Sequence, residues 1–477
     1  TGSATPVRRR TPVAHPRLLV AAALTVAVTV GAGIAAREPR SAPGVAGAST
    51  PGPTSSASPG SAPMVLPSVL ATPTAPSGAD VRAQASATAA AAAETARTAA
   101  LERLLAARGA AVLSGDRAAW LATVDPAATG FRARQAEVFD NLTGVPFEEF
   151  TYTVASVAPE LPAQRQRELG GPSWVARVLA GYRLRGFDRS TTETEQTLTA
   201  VWRSGRWYLA ADTDGTTHPQ PWDLGRVRVA VRDDVLAMGT ASPQTLQQYA
   251  DQAHSALGRV SGVWGSSWPR RAVLVVPRTQ EEMGRLLQRD TGLEQIAAVT
   301  VGALPPGGGP AGSDRVVVNP GAFDRLEATG RRVVLTHELT HVAVRSSTTA
   351  PVPIWLSEGF ADYVGYLGVD LGPQAVAAEL LARTRRGEGF AALPTDQDFD
   401  ATRTTIGPAY SASWLAASLV AERYGQDALV RLYRTAATTA GDDPETALSE
   451  AFTSVLGVTH AQVSADWLQR VDQLARN

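Results

Sequence analysis

The chain contains no cysteine. That excludes disulfides, thiolate metal ligands and cysteine nucleophiles. The protein must be held by core packing alone, which a chain of 477 residues can supply. Lysine is absent as well, so all 44 basic residues are arginine, a coding bias toward GC-rich codons rather than a chemical signal. Against them stand 45 acidic residues, and the formal net charge of −1 leaves no electrostatic case for nucleic acid as a partner. The length favours two or three domains.

Long apolar runs are also scarce, with one exception. Residues 18–36 are uncharged and just long enough to cross a bilayer core. Arg8, Arg9, Arg10 and Arg17 precede them, so residues 1–17 read as a cytoplasmic tail and the remainder as exported. Two readings stay open: a single-pass membrane anchor, or a signal sequence cleaved near Gly33, Ala35 and Ala36. Residues 37–79, rich in Pro, Ala, Ser, Gly and Thr, cannot bury enough apolar surface to offset chain entropy and read as a disordered spacer.

Beyond the spacer the sequence predicts an α+β protein in two parts. Residues 80–215 open with helical stretches at 80–107 and 119–124. Alternating strand-like runs follow at 147–157, 174–187, 195–202 and 207–211, with Ser204-Gly205 as a hairpin turn. Helices followed by antiparallel strands resemble the cone-shaped nuclear-transport-factor-like fold. No acid–base pair or metal cluster stands out there. His218 and His254 are isolated and read as surface or structural residues. The stretch 212–223, with Gly215, Pro219 and Pro221, looks like a linker. Residues 216–477 then predict a mixed sheet (strands at 227–231, 272–277 and 315–318) with helices at 243–264, 279–289, 331–345 and 354–367. A helical part follows at 410–424, 426–440, 444–456 and 460–475.

The chemistry lies in His337-Glu338-Leu339-Thr340-His341. On a helix, residues four apart share a face, so two imidazoles so placed can grip one zinc ion. Glu338 then stands beside the metal without binding it, where it can accept a proton from water. Zinc needs a third protein ligand and an open position. Glu358, in Trp355-Leu356-Ser357-Glu358-Gly359-Phe360-Ala361-Asp362-Tyr363, is the candidate. Pro351 and Pro353 break the chain and let a second helix return antiparallel to the first. Asp362, one turn further along the same face, is placed to hydrogen-bond the far nitrogen of a ligand histidine. Asp396, Asp398 and Asp400 alternate in one loop but lack the Gly and downstream Glu of a calcium loop; they read as a solvated acidic loop.

The HELTH and WLSEGFADY pair resembles the gluzincin metallopeptidases, which include thermolysin and aminopeptidase N. More narrowly it is similar to the peptidase-MA-like domains of bacterial exported proteins. The resemblance covers roughly residues 227–477. It implies a zincin-like fold and Zn2+ bound by His337, His341 and Glu358. It further implies Glu338 as catalytic base, Asp362 as the acidic residue behind a ligand, and a peptide or protein substrate. It implies that the strand at 314–319 aligns that substrate by strand addition. Tyr410, at the start of the next helix, resembles the tyrosine that stabilises the oxyanion in the aminopeptidase N branch. His460 reads instead as a surface residue near a helix start. The Gly-x-Met-Glu-Asn segment that holds a substrate amino group in those aminopeptidases is missing before His337, which favours an endopeptidase. The alternative class is a non-enzymatic envelope binding protein with a structural or vestigial zinc site. Oligomeric state leaves no mark in the sequence.

Overall fold

Runs rich in β-branched and aromatic residues build the first sheet. The computed structural model describes residues 78–157, 161–289, 291–294, 296–303, 309–400, 405–438 and 443–477. The anchor or signal expected at 18–36 and nearly all of the spacer lie outside them; among the described residues no helix is long and apolar enough to cross a membrane.

Helix α1 (Gly78–Ser114) leads to a short helix at Arg117–Ala122 and to α2 (Thr129–Leu142). Strands β1 (Phe147–Val157), β2 (Ser173–Leu184), β3 (Thr192–Arg203) and β4 (Arg206–Ala211) form an antiparallel meander in sequence order. Ser204 (φ 50°) and Gly205 (φ 82°) make the β3–β4 turn, both in the left-handed region that such a two-residue hairpin requires. Leu101 and Leu105 of α1, Phe131 of α2 and Trp174 and Leu198 of the sheet share one core cluster.

The second sheet has five strands in the order β5-β6-β7-β9-β8. They are β5 (Arg228–Arg232), β6 (Val235–Gly239), β7 (Ala272–Val275), β8 (Ala298–Val301) and β9 (Arg315–Val318). The inner pairs β6–β7 and β7–β9 are parallel, and the edge strands β5 and β8 run antiparallel to their neighbours. One expectation fails here. Strand β9, the expected substrate-aligning strand, is bonded on both sides, by β7 and by β8, and has no edge to offer. The edge belongs to β8, a short apolar strand without alternation.

Helices α3 (Pro243–Trp264) and α4 (Gln280–Leu287) fall between these strands. After β9 come α5 (Ala328–Arg345) and α6 (Ile354–Tyr366), then α7 (Ala378–Arg385), α8 (Ile406–Tyr424), α9 (Gln426–Ala436), α10 (Pro444–Ala451) and α11 (His460–Arg476). One apolar cluster runs from β7 and β9 through α3, α5 and α6 to α11 and excludes water from the helix that carries the motif.

Candidate metal centre

Helix α5 is buried all round in its middle: every residue from Val333 to Val344 is buried. Such a helix can carry polar residues only if each finds a partner. Thr336 and Thr340 donate their hydroxyls back to the carbonyls of Arg332 and Thr336, both at 2.7 Å. That leaves His337, Glu338 and His341 as the polar side chains that need tertiary contacts.

Helix α6 supplies them. It starts after Pro353, where the backbone N–H of Ile354 donates to Asp396 Oδ1 at 3.0 Å. In the loop read as a solvated acidic stretch, Asp396 therefore caps α6, and Asp398 caps its own turn by accepting from Thr395 N at 2.9 Å. Two glycines then set the helix spacing. A Cβ on Gly359 would sit 2.3 Å from the carbonyl oxygen of Ser413 on α8, and one on Gly365 would sit 3.1 Å from the carbonyl oxygen of Val333 on α5. Helix α6 is thus clamped on both sides at glycine positions, with Glu358 and Asp362 facing α5.

Three side chains meet there. His337 Nε2 and His341 Nε2 are 3.1 Å apart, and Glu358 Oε2 is 3.3 Å from the first and 3.4 Å from the second. All three residues are buried. His337 Nδ1 lies 2.8 Å from Asp362 Oδ1, so it carries the proton donated to that carboxylate and leaves the Nε2 lone pair for the cluster. Glu358 Oε2 is buried without a hydrogen-bond partner of good geometry. Two imidazole nitrogens and a carboxylate oxygen without a hydrogen-bond partner converge within 4.8 Å of one another, a group that could hold a metal cation. A two-histidine, one-carboxylate donor set with no thiolate is consistent with Zn2+.

Glu338 stands next to this cluster with its two oxygens in different roles. Oε2 accepts the hydroxyl of Thr300, on edge strand β8, at 2.7 Å; the same hydroxyl lies 3.1 Å from the Glu338 carbonyl oxygen. Oε1 is buried without a hydrogen-bond partner. Burial raises the Glu338 carboxyl above the usual range against the pull of His337 and His341. Burial would also raise Glu358, yet His341 and His337 hold it down at about 2. Burial would lower His337, but Asp362 first, with Glu358 and Glu338, raises it well above the ordinary imidazole value.

The remaining candidates are placed as follows. Tyr410 is buried near the start of α8, one turn before Ser413, with its ring edge-on to Phe399 at 5.4 Å. His460 opens α11, as expected, but is half-buried rather than on the surface, stacked on Phe452 at 5.2 Å and on Trp355 at 6.4 Å. His218 is half-buried, and His254 lies 3.6 Å from Asp233. Thr300 went unnoticed in the sequence; a single threonine in a short apolar run carries no local signal.

No family model matches the chain, and a search of curated proteins finds no relative. Solved structures that resemble it include an M1 zinc metallopeptidase from Deinococcus radiodurans bound to a Tyr-Ser-Ala substrate, at 17% identity and a TM-score of 0.31. Two structures of a two-domain M1 zinc metallopeptidase, bound to L-tryptophan and to L-arginine, align at 16% and 15% identity with TM-scores of 0.31 and 0.32. Each alignment covers 62% of this chain and 60% of the other, so the chain spans well under two thirds of those structures. A likeness that loose assigns no role to any residue.

Proposed function

We propose that the protein is a zinc-dependent peptidase of gluzincin type that hydrolyses peptide bonds in a peptide or protein substrate. The observation that carries this reading is the buried convergence of His337, His341 and Glu358 beside Glu338, whose Oε1 has no hydrogen-bond partner. His337, His341 and Glu358 would hold the metal. Zinc held by three such donors, with one position open, supplies Lewis-acid polarisation of a carbonyl and activation of water.

The chain's own residues divide the remaining work. Thr300 holds Oε2 of Glu338 in place, which leaves Oε1 to take a proton from the attacking water and return it to the leaving amine. Its raised pKa suits both halves of that transfer. Asp362 holds the His337 ring and its tautomer. Tyr410 is assigned to the oxyanion of the tetrahedral intermediate; its support is its position one turn from the α8 backbone that packs on Gly359, next to Glu358. The missing Gly-x-Met-Glu-Asn segment favours endopeptidase action. The basic flank and apolar run at 18–36 support a catalytic part outside the cytoplasmic membrane, anchored through that run or released by its cleavage.

The test is Glu338→Gln. Cleavage of an unstructured protein such as casein should fall at least 1,000-fold, a loss of about 4 kcal/mol of transition-state stabilisation, while zinc content stays at the wild-type level. Unchanged cleavage, or a wild type that holds zinc and cleaves no peptide, favours the non-enzymatic binding protein instead.

A further inference from the structure

A cavity of about 370 Å3 lies away from the metal centre, between the four-stranded sheet, α2, segment 212–223 and α4. Phe150, Tyr182 and Trp222 form an aromatic wall, with Tyr182 and Trp222 edge-to-face at 5.3 Å. The volume falls in the range of small-molecule sites.

Arg108 also lines the cavity, although only 4% of it is exposed. Its guanidinium stacks 3.2 Å from the centre of the Trp120 ring, donates to Thr123 Oγ1 at 3.0 Å and donates to Gln135 Oε1. Each of these partners is neutral, and Arg108 forms no ion pair among the described residues. A buried cation normally has a counter-charge. Three carboxylates line the cavity, Glu137, Asp212 and Asp223, and none of them forms an ion pair with Arg108. Asp212 pairs with Arg134 at 3.1 Å, and Asp223 accepts the backbone N–H of Gln220 at 2.8 Å. The cavity thus combines an aromatic body site with a buried positive charge that has no direct ion pair.

We propose that this cavity binds a small organic carboxylate with an aromatic or branched apolar body. The carboxylate meets Arg108 and the neighbouring Tyr152 hydroxyl, and the body lies against Trp222, Tyr182 and Phe150. A guanidinium recognises a carboxylate by charge-assisted hydrogen bonds, and the aromatic wall excludes the water that would screen them. Arg285 of α4 lines the same cavity, so its wall includes a helix that lies between strands β7 and β8 of the second sheet.

The test uses the full chain with phenylacetate and indole-3-acetate as probes, beside phenethylamine, benzyl alcohol and inorganic phosphate, followed by saturation-transfer NMR and calorimetry. The two acids should bind at least tenfold more tightly than the amine, the alcohol or phosphate. Arg108→Gln should weaken the acids tenfold or more, and Ala180→Leu, which fills the cavity and leaves the charge in place, should abolish their binding. The proposal is overturned if no acid binds, if the amine, alcohol or phosphate binds as well, or if the acids bind either variant as tightly as wild type. Should Arg108→Gln fail to fold, Ala180→Leu and the acid–alcohol contrast decide.

Discussion

Glu338 and Glu358 are buried carboxylates beside the same two imidazoles, and their surroundings drive them apart. Glu358 takes both imidazoles directly and stays ionised, as a metal ligand must. Glu338 is held by one threonine hydroxyl and is raised, as a base working near neutral pH requires. His337 adds a pH dependence. Its pKa is raised, so protons compete with the metal at higher pH than at an ordinary histidine, and zinc affinity should fall as pH drops, beginning above about 6.5. In metal-free protein the sign is that of a raised group: protonated His337 contributes stability below about 6.5 that is lost as pH rises through its folded-state value. Asp362→Asn should weaken zinc about 10–100-fold at pH 8. It should also move the onset of acid loss to lower pH, because the largest influence raising His337 is gone. A chelator-competition titration over pH 5.5–8.5 measures both effects; unchanged affinity and onset would deny Asp362 its positioning role.

At the scale of elements, the two helices that carry the site could be read in the sequence and the strand that completes it could not. Helices α5 and α6 announce themselves through HExxH spacing, an apolar stretch before it and the proline break between them. Strands β6 and β8 are buried runs of four or five residues without alternation, and such runs cannot be told from helix segments by periodicity. Missing β8 also hid Thr300; the substrate-strand expectation, which the resemblance supplied, fell on β9, which lies inside the sheet. The glycine clamp on α6 was equally silent, since close backbone approach is a tertiary fact. It makes a sharp prediction. Gly359→Ala places a methyl 2.3 Å from the Ser413 carbonyl oxygen and must push α8 away. A loss of about 1–3 kcal/mol is expected from such overpacking, read as a lower urea midpoint, and zinc affinity should fall with it because Glu358 is the adjacent residue. Wild-type stability in this variant would mean that α6 and α8 pack less closely than described.

Across the whole molecule, residues Thr98–Asn477 form one compact unit. Segment 212–223 resembles a linker because Gly215, Pro219 and Pro221 punctuate it, yet Trp222 sits in a core cluster with Phe147 and Phe150 of the first sheet and Leu236 and Met238 of the second. The β2–β3 loop completes the joint. Arg189 donates to the carbonyl of Ala311, in the loop before β9, at 3.0 Å and to that of Ser346, just beyond the C-terminal end of α5, at 2.7 Å. Arg315 on β9 grips Asp188 with both arms at 2.7 Å in a pair almost fully shielded from solvent. Breaking such a pair strands a buried charge, so Asp188→Asn should cost about 3–5 kcal/mol in chemical denaturation. A change below 1 kcal/mol would show that the two sheets are not joined through this contact. None of this joint was legible beforehand, because Asp188 and Arg315 are far apart in sequence and each resembles an ordinary surface charge.

The most direct test of the central claim is metal content by elemental analysis, wild type beside Glu358→Ala. One zinc per chain in the wild type, lost or greatly weakened in the variant, is the predicted result. Zinc absent from the wild type, or held equally well without Glu358, would contradict the three-donor site and the peptidase reading built on it.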